Sequence, residues 1–214
     1  MWKKLLKIMV IVAVMMAAYP GAFYLYWLWR AISEDPMILI REEEGMKLLS
    51  TEELMRKMHS VDPFSPYPSM AISILGERKA EEAVPALIKK LSSRDRGTRQ
   101  TAITALGEIG DRKAIPDLMK IVTTRSENDY EYRLVLESLA KMKSEEAYPY
   151  VVYLAKKKNP ISIALLREYA DPKTISMIED MGAKFSGNDI LDEVYRPRID
   201  EAIAHIKKVN NIGD

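Results

Sequence analysis

The residue types that most often carry enzymatic chemistry are scarce in this chain. Its 214 residues include no cysteine and only two histidines, His59 and His205. Without thiols the chain has no cysteine nucleophile, disulfide or thiolate zinc site, and two isolated histidines make a poor metal site. His205 stands beside Ile203 and Ile206. This apolar neighbourhood predicts a packing or surface histidine.

Two pairs of adjacent carboxylates, Glu81-Glu82 and Glu145-Glu146, are the remaining candidates for acid–base chemistry. Both pairs stand at predicted helix starts, where the helix dipole favours carboxylates. The chain also contains no Gly-x-Ser-x-Gly elbow, glycine-rich phosphate loop or His-Glu-x-x-His motif. We therefore expect a protein that is not an enzyme, has no cofactor or metal, and has no small-molecule substrate.

Lysines and tyrosines on one predicted surface are better candidates for function, as a binding face. These residues are Lys89, Lys90, Lys120, Tyr150, Tyr153, Lys156 and Lys157. Cations combined with aromatic side chains are typical of protein contact sites, and the lysines suit an acidic segment or anionic headgroups. The alternative is that the lysines are ordinary solvated side chains on an exposed helix face and that the two tyrosines are partly packed.

A repeated element must position these residues. Pro85, Pro116 and Pro149 recur at spacings of 31 and 33 residues, each ten residues after a leucine. An alanine stands two positions before each proline, and apolar residues stand two, three and six positions after it. Self-similarity at this period predicts helical pairs that stack, since one pair cannot bury its apolar face alone.

The clearest unit runs from Arg94 to Thr124. Its first helix is predicted to end at Gly110, because glycine accepts the left-handed conformation that a helix end needs. Asp111 is suited to cap the second helix, and Pro116 falls in the first turns of that helix, where a missing donor costs little. A shorter unit with the same pattern is predicted from Ile163 to Met181.

The stretch from Thr98 to Leu118 resembles a HEAT repeat of the short bacterial type. The resemblance covers residues 69–182, with one close copy and looser ones around it. It implies an all-α fold, a right-handed α-solenoid of HEAT-like helical pairs, with the second helices lining a concave face. In that family an arginine and an inter-helix aspartate commonly join neighbouring units, and Arg99 and Asp111 are the matching positions. The adjacent units have other residues at these two positions. We therefore do not expect a continuous series of such contacts along the repeats.

The first thirty residues predict a single transmembrane helix that precedes the solenoid. The 22 residues from Ile8 to Trp29 carry no charge. As a helix they reach about 33 Å, enough to cross a hydrocarbon core of about 30 Å. Trp27, Trp29 and Arg30 suit the interfacial end, and the lysines before the run place the N-terminus in the cytoplasm. A cleaved signal peptide and an interfacial helix are the alternatives.

The chain is predicted to have four segments. Residues 1–30 form the anchor, and residues 31–68 form an acidic juxtamembrane segment with a short helix and a proline-rich connector. Residues 69–182 contain the HEAT-like repeats. Residues 183–214 form a C-terminal cap, with a loop from Lys184 to Asp189 and then a helix that Pro197 interrupts early.

Two local signals define the 31–68 segment. The capping box Ser50-Thr51-Glu52-Glu53 predicts a helix start, with Leu54, Met55 and Met58 forming the apolar stripe. Three prolines between Pro63 and Pro68 predict an extended connector after that helix.

Together these features predict a membrane-anchored HEAT-like scaffold or accessory subunit at the outer face of a bacterial inner membrane. Its expected partners are subunits of a membrane complex, and membrane lipid around the N-terminal helix. A net charge of only +1 argues against nucleic acid. Because short HEAT-like repeats also occur in bilin lyases, the resemblance implies a bilin-lyase-like enzyme as one alternative. A module that binds lipid headgroups through the lysines is another.

Overall fold

The computed structural model describes residues 43–59, 67–185 and 189–212. Within these ranges every regular element is helical and no strand occurs. The predicted anchor at residues 1–30, with Trp27, Trp29 and Arg30, lies outside the described residues. Among the residues that are described, no helix combines the length and apolarity needed to cross a membrane.

The chain divides into two compact units, Met1–Ile74 and Leu75–Asp214. The first contains α1 (Thr51–Met58) and most of α2 (Tyr67–Glu77), preceded by one helical turn at 43–46. The helices of the second unit are α3 (Val84–Lys90), α4 (Arg96–Ile109), α5 (Ile115–Thr124), α6 (Tyr130–Lys141), α7 (Tyr148–Lys156), α8 (Ile161–Tyr169), α9 (Ile175–Phe185) and α10 (Asp189–Val209).

In the first unit, α1 begins at the predicted capping box. The Glu53 backbone N–H donates to Ser50 Oγ at 3.3 Å, and the Ser50 backbone N–H donates to Glu53 Oε2 at 2.9 Å. Leu54 and Met58 are fully buried, while Met55 is half-buried. The reciprocal cap satisfies two backbone donors that a helix start otherwise leaves without partners. The short helix and its apolar stripe are confirmed.

The proline-rich stretch is helical at its end. Because α2 begins at Tyr67, Pro68 lies in the first turn of that helix and not in an extended connector. The first turn accommodates proline because its N–H groups have no intrahelical partner. The remaining connector residues, 60–66, lie outside the described residues.

In the second unit, the turn between α4 and α5 has the predicted chemistry. Gly110 ends α4 with a φ of 78°, in the left-handed region. Asp111 accepts from the Lys113 backbone N–H at 2.9 Å and so caps a short 3-10 turn, Arg112–Ala114, that leads into α5. Pro116 is in the first turn of α5, where no donor is lost. The helical pair predicted between Arg94 and Thr124 is confirmed.

The second unit repeats this pair along the chain, as expected for an α-solenoid. The first helices form one layer, in which α4 packs on α6, α6 on α8 and α8 on α10. The second helix of one pair packs against the first helix of the next, as α5 does on α6 and α7 on α8. Fully buried leucines from both layers form the core between them: Leu106, Leu118, Leu136, Leu139, Leu154 and Leu165. The handedness of the stack stays a prediction.

Helices α4 and α6 approach closely because Gly107 has no side chain. A Cβ atom built at Gly107 would lie 2.7 Å from the Ser138 Cβ atom. Ser138 is buried, and its hydroxyl donates to the Ile103 carbonyl at 3.0 Å. A hydrogen bond between two neighbouring first helices therefore accompanies their close approach at this level.

The end of the chain is one long helix. Pro197 lies inside α10, so the helix is not interrupted there. α9 continues to Phe185, beyond the predicted start of the loop at Lys184. Ile199, Ala202 and Ile206 are buried, so this helix packs through an apolar stripe.

Candidate protein-binding site

The predicted binding residues lie on three helices of the second unit. Lys89 and Lys90 end α3, Lys120 is in α5, and the others belong to α7 or follow it directly. Lys120 forms an ion pair with Asp117 of its own helix, Nζ to Oδ1 at 2.7 Å. Lys89 and Lys156 are exposed. These lysines therefore lie on three different second helices, and a shared role for them stays a prediction.

The tyrosines have a clearer setting, in a groove beside α7. We call it the tyrosine groove. Its volume is about 420 Å³, and its lining residues are Val122, Arg125, Glu127, Tyr132, Pro149, Tyr150 and Tyr153. Two of the predicted binding residues, Tyr150 and Tyr153, are therefore brought together. Tyr153 is 48% exposed, whereas Tyr132 is only 4% exposed and forms the inner wall.

Lys157 contacts two residues that line this groove, Glu127 and Tyr153. Its Nζ lies 2.8 Å from Glu127 Oε1 and 4.6 Å from the centroid of the Tyr153 ring. The hydrogen bond to Glu127, reinforced by Tyr153, raises the pKa of Lys157 above its ordinary value. Lys157 is therefore a stable cation that supports the edge of the groove, and its Nζ is already occupied by groups of this protein.

A buried carboxylate, Glu131, positions one of the residues that line this groove. Glu131 is 3% exposed, and its Oε1 accepts from Arg99 Nη2 at 2.7 Å and Nε at 3.1 Å. Its Oε2 lies 3.1 Å from Arg125 Nη2. Arg99 Nη1 also donates to the Ser93 carbonyl at 2.8 Å. This cluster ties α4 to α6 and fixes Arg125, which lines the tyrosine groove.

The cluster gives Arg99 a different partner from the one that the sequence resemblance implies. Arg99 does join two neighbouring units, but through Glu131, while Asp111 caps its own turn beside Lys113. Sequence reasoning missed Glu131. A signal was available, since Glu131 follows Arg99 by 32 residues, about one repeat period, which places both residues at the same level of successive first helices.

Tyrosine hydroxyls join the helical pair α6–α7 to the next pair, α8–α9. Tyr148 donates to Asp171 Oδ2 at 2.5 Å, and Tyr169 donates to the Ser144 carbonyl at 2.7 Å. The two rings meet edge to face with centroids 4.9 Å apart. Burial, followed by the bond to Asp171, raises the pKa of Tyr148, and the same bond lowers the pKa of Asp171. These contacts join the α6–α7 pair to the α8–α9 pair.

This arrangement suits contact with a protein surface. In the part of the chain that the structure describes, no cluster of His, Cys, Asp or Glu side chains could hold a metal ion. Burial, aided by Glu127, raises the pKa of Tyr132, so its hydroxyl keeps its proton at neutral pH. The charged groups around the groove are paired, which leaves tyrosine and proline surface to contact a ligand.

Comparison with known proteins agrees with this geometry. Residues 51–129 match the family model for HEAT repeats. No curated protein matches the chain. The matched segment includes α4 and α5, the HEAT pair that the sequence predicts most clearly, and it ends just before α6. HEAT repeats build extended surfaces that commonly mediate protein–protein interaction.

Proposed function

We propose that this chain is a membrane-anchored HEAT-type scaffold, or accessory subunit, that binds a protein partner through the tyrosine groove. The observation that carries the proposal is an open, aromatic groove on stacked pairs in a chain with a HEAT-repeat match. Tyrosines often supply most of the energy of a protein interface, because they bury a large area with little loss of side-chain freedom. On this proposal the chain has no catalytic activity.

The membrane part of the proposal rests on the amino-acid sequence. The uncharged run from Ile8 to Trp29 is long enough to span a bilayer, and lysines precede it. The repeats then lie on the outer side of a bacterial inner membrane, and the partner is a subunit of a membrane complex. Lipid contacts the N-terminal helix.

Site-specific crosslinking in intact membranes tests the groove. A photoreactive phenylalanine analogue replaces Tyr153 in one variant and Tyr130 in the other. Tyr153 and Tyr130 are matched in exposure, at 48% and 50%, but only Tyr153 lines the groove. We expect a discrete protein adduct from position 153, lost on Tyr150→Ala, and none from position 130. Equal adducts from both positions, or none from position 153, would refute the groove as the site.

Membrane fractionation tests the anchor separately. The full-length chain is expected to stay with the membrane after carbonate extraction, and external protease is expected to cleave it in spheroplasts. A variant that lacks residues 1–30 is expected in the soluble fraction. Extraction of the full-length chain by carbonate would contradict the anchor and leave the crosslinking result unaffected.

A further inference from the structure

A second groove lies on the layer of first helices in the second unit. Its volume is about 690 Å³, with α6 and α10 as walls and α8 as floor. These helices have 12, 21 and 9 residues, so α8 is the shortest of the three. The floor includes Ile161 and Ala164. We call this the arginine groove, because Arg133, Arg167 and Arg198 line it.

Some charged side chains in the arginine groove form ion pairs with other residues, and others do not. Arg167 Nη2 lies 3.1 Å from Glu201 Oε1, and Glu127 is engaged by Lys157. Arg133 and Arg198, in contrast, form no ion pair with any other described residue. The Arg198 guanidinium lies 5.7 Å from the centroid of the Tyr195 ring, which orients it without neutralising it.

We propose that the arginine groove binds an acidic peptide segment of a partner protein. Carboxylates of the segment pair with Arg133 and Arg198, because guanidinium groups bind carboxylates through two parallel hydrogen bonds. An apolar side chain between those carboxylates lies on Ile161 and Ala164 of the floor. This ligand differs from the one proposed for the tyrosine groove, so the scaffold would join two protein segments through two grooves.

Glu137 makes the proposal sharply testable. It lines the same groove one helical turn after Arg133 and has no cationic partner among the described residues. A carboxylate that binds Arg133 is repelled by Glu137, so the wild-type groove has less than its maximal affinity for acidic ligands. Glu137→Gln removes that repulsion while keeping the shape of the side chain. It should therefore strengthen binding, an effect that general damage to the fold does not produce.

The test is selection from a phage-displayed library of random 12-residue peptides on the full-length chain in mild detergent. We expect enrichment of peptides in which two or more Asp or Glu residues flank an apolar residue. The most enriched sequence, made with a fluorescent label, is then titrated by fluorescence polarisation. The double variant Arg133→Ala/Arg198→Ala should weaken binding about tenfold or more, and Glu137→Gln should tighten it about threefold. Added salt should weaken binding.

Two control variants separate this surface from others. Arg112 is exposed and lies outside the groove, so Arg112→Ala should leave binding unchanged. Tyr150→Ala should also leave it unchanged, because Tyr150 lines the tyrosine groove and does not line the arginine groove. Circular dichroism checks that each variant is folded.

Several outcomes would overturn the proposal. They are an absence of enriched peptides, enrichment of basic or proline-rich peptides, and unchanged binding by the double variant. Weaker binding by Glu137→Gln would also contradict it, whatever the double variant does. If phosphatidylglycerol vesicles bind at these arginines while no acidic peptide is enriched, the groove faces lipid and the proposal is wrong.

Discussion

Removal of the Arg99 guanidinium should destabilise the second unit far more than the loss of an exposed ion pair. The change is Arg99→Met, which keeps the apolar stem of the side chain. Glu131 is 3% exposed and would lose both hydrogen bonds to Oε1. Breaking a buried pair costs about 3–5 kcal/mol, and Arg125, which remains at Oε2, places the loss near the lower end. We expect a decrease of about 3 kcal/mol in the free energy of unfolding.

Urea unfolding followed by circular dichroism measures this loss. For a dependence on urea of about 1–3 kcal/mol per molar, the midpoint should fall by roughly 1–3 M. Lys120→Met is the matched control, because it also converts a cation to methionine but breaks an exposed pair with Asp117. The Lys120 side chain is 73% exposed, so we expect a loss below about 0.5 kcal/mol.

The double variant Arg99→Met/Glu131→Leu tests the reasoning itself. If the cost comes from an uncompensated buried carboxylate, removing that carboxylate should restore stability to within about 1 kcal/mol of wild type. Arg125 keeps its ion pair with Asp129 in the double variant, at 3.1 Å. A double variant no more stable than Arg99→Met would refute the reasoning, as would an Arg99→Met loss equal to the Lys120→Met loss.

Two further predictions concern α4. Gly107→Val should reduce the free energy of unfolding by about 2 kcal/mol or more, because the valine side chain would overlap α6. Gly97→Ala is the control and should be tolerated. Thermal unfolding compares the two variants. Hydrogen bonds from Thr98, side chain and backbone, lower the pKa of Asp95. Its charge therefore stabilises the fold above about pH 4, and the contribution is lost as pH falls through the lower folded pKa. The stability difference from Asp95→Asn should thus shrink below pH 4; a constant difference would contradict this.

The helical pairs could be predicted because their signals are local. Ser50, Gly110 and Pro116 act on backbone groups within four residues, so their effect does not depend on distant parts of the chain. The predictions at two prolines were wrong, because proline is compatible with more than one local structure. Pro68 lies in a helix because proline is compatible with a first turn as well as with an extended segment, and Pro197 is accommodated inside α10.

The candidate site could be predicted only in part. Tyr150 and Tyr153 were identified from their helix, but Tyr132 and Arg125 line the same groove from other elements. Lys120 was grouped with the binding residues, yet it pairs with Asp117 three positions away. A surface pattern indicates which side chains face outward and does not indicate which neighbour each one contacts.

By itself, the amino-acid sequence determined the repeat period, the helix ends and the small residues at the contacts between helices, since capping, proline and glycine effects operate over a few residues. Tertiary structure alone decided that Arg99 and Arg125 share the buried Glu131, and that two grooves form in the second unit with Glu127 lining both. The physical reason is that these features bring together residues from different helices, such as Arg99 and Glu131, which are 32 positions apart. Their geometry depends on how the helices stack, which no local signal encodes.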